Sequence, residues 1–413
     1  MTRSRDHFET FEDHTLLKHA VLRAYLFMWA FKLLQRPGAP NRVIFVDSFA
    51  GPGKDNAGHD GSPTIACQVA QQVRGALAKR GALASARMVV VAVEPNPKYY
   101  RALVAQLDPF RMLEGDHVHI YQGTASEHVD TIVARAKDRP TLYFLDPFGV
   151  DGLDATAYPK MLMGPQNEIF ALFSDMGAVR LRGVVHATND DLDQQLADLR
   201  GSPSFFPELD RSDKEEIFTE LNRRQVERDR TAPAARAAIT RALGDDSWIA
   251  DLADMEPGAA REELVWRFVK KLIQSGASFV QVIPMRDAAG HRKYCLVHAS
   301  KSLKAWTTMK TAVSDGLRRP EFSEKMLARI CSDLAQPVEA IVNWLAKRFG
   351  GREIRWTGRK GKDAGTVKRV MLDETGVFDF QCDDIKEALR ARGWFVRRKA
   401  GEFCKFPADS NDS

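Results

Sequence analysis

Short apolar runs alternate with longer stretches of helical periodicity along the first three quarters of the chain. The runs that predict buried strands end at Val46, Val93, Gln122, Leu145 and Phe173. Between them, apolar residues recur every three or four positions, which is the spacing of a helix with one buried face. Strands that alternate with helices predict a parallel, doubly wound α/β sheet with right-handed crossovers.

Further elements are predicted on both sides of this alternation. A helix with a wide apolar face is expected from about Asp13 to Gln35. Residues 279–284 and 294–299 predict a hairpin that turns around residues 287–290 and completes a seven-stranded sheet. The stretch from 189 to 270 is charged and helix-like, without a strand, and is interpreted as a helical insertion. The α/β domain is thus expected to span residues 1–320.

The pattern changes near Ser332, where helices are followed by an aromatic and basic hairpin over residues 394–406. This succession predicts a winged-helix-like domain over 332–413, with its second helix and its wing offered to a duplex. The candidate nucleic-acid contacts in it are Arg359, Lys360, Arg397 and Arg398. The alternative is a small α+β appendage for protein contacts.

A turn with two glycines follows the first predicted strand. The strand ends at Asp47, and the loop after it contains Phe49, Ala50, Gly51 and Gly53. Glycines let the backbone approach a ligand closely. The loop lacks the Lys-Ser/Thr of a P-loop and the third glycine of the dinucleotide fingerprint. It is therefore interpreted as a site for S-adenosylmethionine, which is cationic and carries no phosphate, against the alternative of an ordinary turn.

Polar residues also end the next two predicted strands. Glu94 closes the second strand and is expected to accept hydrogen bonds from the ribose hydroxyls of the cofactor. Thr124 and Ala125 follow the third strand and are expected near the adenine edge. These residues should meet because ligands bind such sheets at the carboxyl ends of the strands.

The fourth predicted strand ends in Asp146-Pro147-Phe148-Gly149. An acid, a proline and an aromatic residue in this place suit the methylation of an amine conjugated to a ring, whose lone pair is delocalised. Hydrogen bonds to the Asp146 carboxylate and the Pro147 carbonyl would localise that lone pair, and Phe148 would stack on a base. A base taken from a duplex must first be flipped out. The alternative for this motif is a plain turn.

Basic residues near these loops are further candidates. Arg180 and Arg182 follow the fifth strand and would hold a phosphate or a substrate carboxylate, unless they are ordinary surface arginines. Lys18, His19 and Arg23 lie on the first helix and are candidates to cap the cofactor pocket, against the alternative that they are ordinary polar residues of the helix surface.

The amino-acid composition favours a soluble globular protein over a membrane-spanning or disulfide-rich one. Of 413 residues, 44% are hydrophobic and 28% charged, as in soluble globular proteins, and no apolar run reaches membrane-spanning length. The N-terminal stretch is too polar for a signal peptide. The five cysteines form no Cys-x-x-Cys pair, and neither they nor the histidines show a metal-binding spacing, so a cytoplasmic protein without metal or disulfides is expected. A net charge of +5 is too small to establish a nucleic-acid partner.

As a set, several motifs resemble one family, the three-Cys-motif partner proteins (TcmP). They are Lys18-His19 with Arg23-Ala-Tyr25, Asp47-Ser-Phe-Ala-Gly51-Pro-Gly53, Gly61-Ser62-Pro63, Asp146-Pro-Phe-Gly149, Ile283-Pro-Met285 and Trp306-Thr-Thr-Met309-Lys310. The resemblance covers most of residues 10–320. It implies a Rossmann-like class I methyltransferase domain, a winged-helix-like C-terminal segment and a phage-type partner with a three-cysteine motif. It implies no established substrate.

The motif after the fourth strand is also similar to that of tRNA guanine dimethyltransferases. It lacks the second proline of DNA amino-methyltransferases, so it does not favour their DNA substrate. The leading hypothesis is an S-adenosylmethionine-dependent N-methyltransferase that acts on an exocyclic amine of a nucleic-acid base. One alternative is a catalytically silent nucleic-acid-binding or partner protein that keeps the methyltransferase fold. Another is the methylation of a protein partner.

Overall fold

A computed structural model of the chain contains a seven-stranded sheet with the order β3-β2-β1-β4-β5-β7-β6. The structure describes residues 11–35, 38, 40–81, 86–114, 117–136, 138–186, 231–358, 365–398 and 401–407. The strands are β1 (Arg42–Asp47), β2 (Arg87–Glu94), β3 (Val118–Gln122), β4 (Thr141–Leu145), β5 (Glu168–Phe173), β6 (Phe279–Arg286) and β7 (Arg292–Ser300). The first five are parallel, and the β6–β7 hairpin adds to β5 through an antiparallel pairing with β7. This confirms the predicted α/β class and the predicted hairpin.

Helices cover both faces of the sheet because the strands are apolar on both faces. In β1, Val43 and Phe45 pack into one hydrophobic cluster while Ile44 and Val46 pack into the other, as expected from the period of two along a strand. The helices of the first half of the chain are α1 (Asp13–Leu34), α2 (Ser62–Ala78), α3 (Pro97–Glu114), α4 (Ala125–Arg135), α5 (Tyr158–Met161) and α6 (Asp175–His186).

The first cluster lies beneath α1, α2 and α3, together with the helices Leu303–Leu317 and Glu324–Leu334. The second lies beneath α4, α5 and α6, together with the helix Pro257–Gln274. No described helix is long and apolar enough to cross a membrane.

The predicted helical insertion is described in part. Residues 189–230 lie outside the described residues. The remainder is helical over 231–243, Trp248–Asp251 and Pro257–Gln274. Ile239, Trp248 and Phe268 are fully buried in the second cluster, so this part of the insertion belongs to the core of the α/β domain.

The C-terminal unit has its own hydrophobic cluster. Its elements run helix Val338–Phe349, β8 (Glu353–Arg355), helix Val367–Glu374, helix Cys382–Ala391, β9 (Phe395–Arg398) and β10 (Gly401–Lys405). The three strands form a separate antiparallel sheet with the order β8-β10-β9. The boundary expected at residue 332 falls inside the helix Glu324–Leu334, whose Leu334 packs into the first cluster of the α/β domain.

Candidate functional site

A cavity of about 590 Å³ opens at the carboxyl ends of β1, β4 and β5, which is the size range of small-molecule sites. Three predicted site segments line it: the glycine loop after β1, the Asp146–Gly149 turn after β4, and the start of α6 after β5. Residues of α1 and β7 close it. The predicted residues in its wall are Lys18, His19, Phe49, Ala50, Gly53, Asp146, Pro147, Phe148 and Arg180.

The glycine loop is held in a conformation that favours glycine. Gly51 and Gly53 have φ values of +62° and +82°, in the region that side chains with a Cβ rarely adopt. The carbonyl oxygen of Gly53 accepts hydrogen bonds from the Gly61 amide at 2.8 Å and the Thr64 hydroxyl at 2.7 Å. A Cβ at Gly61 would lie 3.1 Å from the Gly53 backbone. The loop is therefore fixed against the start of α2 by close backbone contact.

Asp47 lies beneath the glycine loop and is fully buried. One carboxylate oxygen accepts a hydrogen bond from the Phe49 amide at 3.2 Å, and the other meets no donor at full hydrogen-bond geometry among the described residues, although the nearby Ser62 side chain partly offsets the effect of burial on the pKa of Asp47. Burial raises the pKa of Asp47 to about 7. A buried carboxylate with an unused oxygen can accept a hydrogen bond from a cationic ligand group.

Glu94 is bound to the same loop. Its carboxylate accepts hydrogen bonds from the Gly51 amide at 2.9 Å and from the Asn96 amide at 2.7 Å. Burial raises the pKa of Glu94, and these two amide hydrogen bonds partly offset that effect. The residue does not line the 590 Å³ cavity. Glu94 therefore fixes the loop, and its predicted contact with a ribose would use the remaining lone pairs of its oxygens.

Asp146 forms an ion pair with Lys18 of α1. The side chains are 16% and 6% exposed, so the pair is largely removed from water although it borders the cavity. A buried ion pair depends on both partners, because loss of one leaves an uncompensated charge. The prediction that Lys18 and His19 cap the pocket agrees with this placement. Arg23 does not line the cavity and donates a hydrogen bond to Gln68 at 2.7 Å.

His19 is buried beside this ion pair, and its Nδ1 has no hydrogen-bond partner within the described part of the chain. Burial, reinforced by the positive charge of Lys18, lowers the pKa of His19 well below its usual value. The imidazole is therefore neutral near pH 7. The ring of Phe11 contacts it edge-on, with centroids 5.1 Å apart.

The aromatic residues of the site occupy different depths. Phe148 is 55% exposed at the rim of the cavity, an exposure that leaves ring surface available to a planar ligand. Phe49 is partly buried and packs beside Gly152, where a Cβ would lie 2.7 Å from the Phe49 ring. Gly152 has φ of +101°, so both its conformation and its neighbour favour glycine.

The predicted adenine-side residues lie outside this cavity. Thr124 is the N-cap of α4: its side chain accepts a hydrogen bond from the Glu127 amide, while the Glu127 carboxylate accepts one from the Thr124 amide. Ala125 borders a small separate cleft of about 10 Å³. Thr124 thus forms a reciprocal helix cap with Glu127. The Thr-x-x-Glu sequence is typical of such a cap.

The two arginines after β5 have different environments. Arg180 is exposed on α6 and lines the cavity. Arg182 is buried, and its guanidinium donates hydrogen bonds to the carbonyl oxygens of Leu252, Ala253 and Met255. The substrate contact predicted for Arg182 is corrected accordingly: it joins α6 to the segment after the helix Trp248–Asp251. Residues two apart on a helix face different sides, which explains the separation.

The predicted nucleic-acid contacts of the C-terminal unit are only partly described. Arg359 and Lys360 lie outside the described residues. Arg398 forms an ion pair with Glu353, and Arg397 is exposed opposite Glu402 in the sheet. Other cations of this unit are also paired with carboxylates; the pairs are Arg348–Glu374, Lys368–Asp379, Arg369–Asp373, Lys386–Glu402, Arg390–Glu387 and Arg392–Glu339. This pairing reduces the positive charge that the described part of the unit offers to phosphates.

The cavity also contains residues that the sequence did not single out. Lys293 and Tyr294 come from β7, and Met176 and Gly177 come from α6. The Tyr294 hydroxyl donates a hydrogen bond to the His14 carbonyl at 3.1 Å, which ties β7 to the start of α1. No local motif marks Lys293 and Tyr294, since they reach the site only through the antiparallel pairing of β7 with β5, whereas Met176 and Gly177 reach it at the start of the helix that follows β5.

No group of His, Cys, Asp and Glu residues suited to a metal ion occurs among the residues described by the structure. No protein-family model matches the chain, and no curated protein matches it.

Proposed function

We propose that the protein is an S-adenosylmethionine-dependent N-methyltransferase that acts on an exocyclic amine of a nucleic-acid base. The observation that carries the proposal is the cavity at the carboxyl ends of the parallel strands, in which the glycine loop faces the Asp146-Pro147-Phe148 turn. A methyl donor and an amine acceptor require two such adjoining surfaces. The resemblance to the three-Cys-motif partner proteins supports the same function.

The strand order supports the proposal at the level of the fold. Five parallel strands followed by a reversed hairpin, with β7 inserted between β5 and β6, form the seven-stranded arrangement typical of class I methyltransferases. Other doubly wound sheets bind nucleotides at the same edge. However, the glycine loop here lacks the P-loop lysine and the third glycine of a dinucleotide site.

The donor side would use residues already fixed around the glycine loop. S-adenosylmethionine supplies an electrophilic methyl group on a sulfonium when it is bound. Phe49, Ala50 and Gly53 would contact it from the cavity wall, since they line the cavity. The free oxygen of Asp47 would accept a hydrogen bond from its cationic amino-acid part, and Glu94 would accept one from its ribose.

The acceptor side would use the turn after β4. The amine N–H groups would donate to the Asp146 carboxylate and the Pro147 carbonyl, so that the nitrogen lone pair is directed toward the donor. Phe148, exposed at the rim, would stack on the base and contribute about 1–3 kcal/mol. Lys18 would hold one side of the Asp146 carboxylate through the ion pair and so orient the other oxygen. Arg180 at the same rim would contact a phosphate.

Cofactor binding is tested by isothermal titration calorimetry with S-adenosylmethionine. The wild type should bind, and Asp47→Asn should weaken binding at least about tenfold because it removes one charge-assisted hydrogen bond. Asp151→Asn is the matched control, since Asp151 is 75% exposed and its ion pair with Arg241 lies at the surface. A wild type without measurable binding, or equal affinities for both variants, would refute the donor site.

The acceptor is tested by transfer of a tritiated methyl group to DNA, tRNA and rRNA. We expect incorporation into at least one of them by the wild type and none by Asp146→Asn, whose carboxamide also contains N–H donors and loses the ion pair with Lys18. Incorporation into none of the three by wild type that binds the cofactor would exclude a nucleic-acid acceptor.

A second candidate is a catalytically silent nucleic-acid-binding or partner protein. The observation that favours it is the Lys18–Asp146 ion pair, because Lys18 already occupies the carboxylate that an acceptor amine would need. This candidate predicts salt-sensitive nucleic-acid binding that is unchanged in Asp146→Asn. Methyl transfer by the wild type that is lost in Asp146→Asn would exclude it.

The C-terminal unit has the element order of a winged helix. A helix, a strand, two helices and two strands, with the first strand added to the edge of the last hairpin, correspond to that fold, and we propose it as winged-helix-like. Its ion pairs suit a protein contact as well as a nucleic-acid contact. Co-expression with a three-Cys-motif phage-type protein tests the partner role: co-purification is expected, and mass spectrometry of that partner would reveal any protein methylation.

A further inference from the structure

A second charged feature lies at the amino ends of the central strands, whereas the cavity lies at their carboxyl ends. Arg42 begins β1, Arg139 lies two residues before β4, and Arg135 ends α4. All three line one small cleft, whose inner wall is formed by the buried side chains of Ile44, Val89, Val91 and Ile132. The hydrogen bond from the Ile44 amide to the Pro140 carbonyl at 2.9 Å holds the two strand starts side by side. The cleft is therefore formed by the sheet itself.

The three arginines in this cleft are not compensated by acids. None of them forms an ion pair with a carboxylate in the part of the chain that the structure describes, and the cleft wall contains no Asp or Glu. In the C-terminal unit, by contrast, most arginines are paired. Like charges held close together repel one another, so this cluster is stabilised when an anion binds.

The negative end of the α4 dipole accounts for part of the cluster. The Arg139 guanidinium donates a hydrogen bond to the Arg135 carbonyl at 3.1 Å, as cations near helix C-termini often do. Arg135 also contacts the His119 ring at 3.0 Å and the Tyr121 hydroxyl at 3.4 Å. Neither contact explains why an arginine occupies position 42. Its partner in the strand register is Arg87, another cation.

We propose that Arg42, Arg135 and Arg139 form a binding site for a phosphate group. Planar guanidinium groups bind phosphate oxygens in pairs, with charge-assisted hydrogen bonds. The cleft has room for about 20 Å³ of ligand, close to one or two oxygen atoms. The phosphate would therefore lie at the mouth of the cleft with no more than two of its oxygens inside, while the remainder of its molecule lies on the surface outside.

The phosphate has two possible sources, a small phosphorylated ligand or a nucleic-acid backbone, and two measurements distinguish them. The first is the melting temperature in inorganic phosphate compared with chloride at equal ionic strength. The second is the fluorescence anisotropy of a labelled single-stranded RNA of about 20 nucleotides over a range of salt concentrations. Neither depends on methyl transfer, so failure of this site and failure of the proposed activity are separate results.

The test variant is Arg42→Gln/Arg139→Gln. Its matched control is Arg101→Gln/Arg329→Gln, which removes two charges from exposed positions on other elements. We expect the cleft variant, but not the control, to lose stabilisation by phosphate. If the source is a backbone, RNA affinity should fall about tenfold at low salt, and the logarithmic salt slope should fall by about one for each lost phosphate contact. Equal behaviour of the two variants, or no binding of phosphate and RNA by the wild type, would overturn the proposal.

Discussion

Two residues with buried charges reduce the stability of this protein and are explained by its function. Asp47 is held in the core beneath the glycine loop, and Lys18 is held beside Asp146. Neither position is the best choice for stability, because charged groups lose hydration when they are buried. Lys18 borders the cavity and Asp47 lies beneath the glycine loop that forms part of its wall, and ligand binding explains buried charges in these places better than stability does.

Asp47 should make stability depend on pH. Its pKa is raised in the folded state to about 7, so the folded state binds a proton more tightly than the unfolded state. This contribution to stability is complete below about pH 4 and is lost as the pH rises to about 7. Asp47→Asn should therefore be more stable than the wild type at pH 8, by at most about 4 kcal/mol. Urea unfolding at pH 5 and pH 8 measures the difference.

The sign of this effect separates the two roles of Asp47. If the carboxylate serves the ligand, the same substitution stabilises the protein at pH 8 and weakens S-adenosylmethionine binding. Asp151→Asn, at an exposed position, should leave both quantities within about 0.5 kcal/mol of the wild type. Destabilisation of Asp47→Asn at pH 8 would show that the carboxylate is structurally required.

At the scale of elements, the site depends on close contacts between turns. Phe49 in the loop after β1 packs against Gly152 in the turn after β4. Gly152→Ala should displace the Phe49 ring as well as strain the backbone, and we expect a cost of about 2–4 kcal/mol. Thermal unfolding and calorimetric cofactor binding would both report the change.

Gly58→Ala is the control for that substitution. Gly58 also has a positive φ, +90°, but no described atom lies within 4 Å of the position that an added methyl group would take, so only backbone strain is added. We expect Gly58→Ala to cost about 1–2 kcal/mol and to leave cofactor affinity unchanged. Equal losses for the two variants would show that the Phe49 contact is unimportant.

The helix Leu303–Leu317 connects the two units through one buried amine. Lys310 is fully buried, donates hydrogen bonds to the carbonyls of Leu372 and Thr375, and lies 3.7 Å from the centroid of the Trp306 ring. Burial lowers its pKa to about 7. Because the folded pKa is depressed, its contribution to stability is present above about pH 10 and is lost as the pH falls to about 7.

We therefore expect the protein to become more stable as the pH rises from about 7 to about 9, by an amount on the order of 2 kcal/mol. Lys310→Met should remove this dependence while it leaves two carbonyls unpaired. Lys304→Met, on the exposed side of the same helix, is the control and should retain the dependence. A wild-type stability that is constant over this range would contradict the prediction.

At the scale of the whole molecule, the two units share a core. Phe378 of the C-terminal unit is buried in the first cluster of the α/β domain. Residues in one packed core usually unfold together. The full chain should therefore show a single calorimetric transition.

Phe378→Ala should separate the two units thermodynamically. We expect a cost of about 3–5 kcal/mol from the lost contact and the cavity, and the single transition should split into two. Leu389→Ala, inside the C-terminal cluster, should instead destabilise that unit without weakening its contact with the α/β domain. A Phe378→Ala transition that stays single and unshifted would refute the shared core.

The local pattern was sufficient for the strands of the sheet and for nine of the 22 residues that line the cavity. Apolar runs predicted the central strands β1, β2, β4 and β5, because a strand buried on both faces is almost uniformly apolar, and the more mixed runs of β3 and the hairpin were predicted as well. Phe49, Gly53, Asp146 and Phe148 were predicted from their positions after strand ends, and the sheet brings these loops together at the cavity. Arg182 was misplaced because its role depends on which side of α6 meets the segment at Leu252.

By itself, then, the sequence determined the α/β class, the strand-end loops and the residue types that line them, since these follow from hydrophobic periodicity and turn chemistry. Only the tertiary structure decided which charges meet: Lys18 with Asp146 across 128 positions of sequence, the C-terminal cations with carboxylates, and three arginines that form no ion pair with another described residue. Charge pairing depends on distances of a few ångströms between distant segments, and no local pattern encodes those distances.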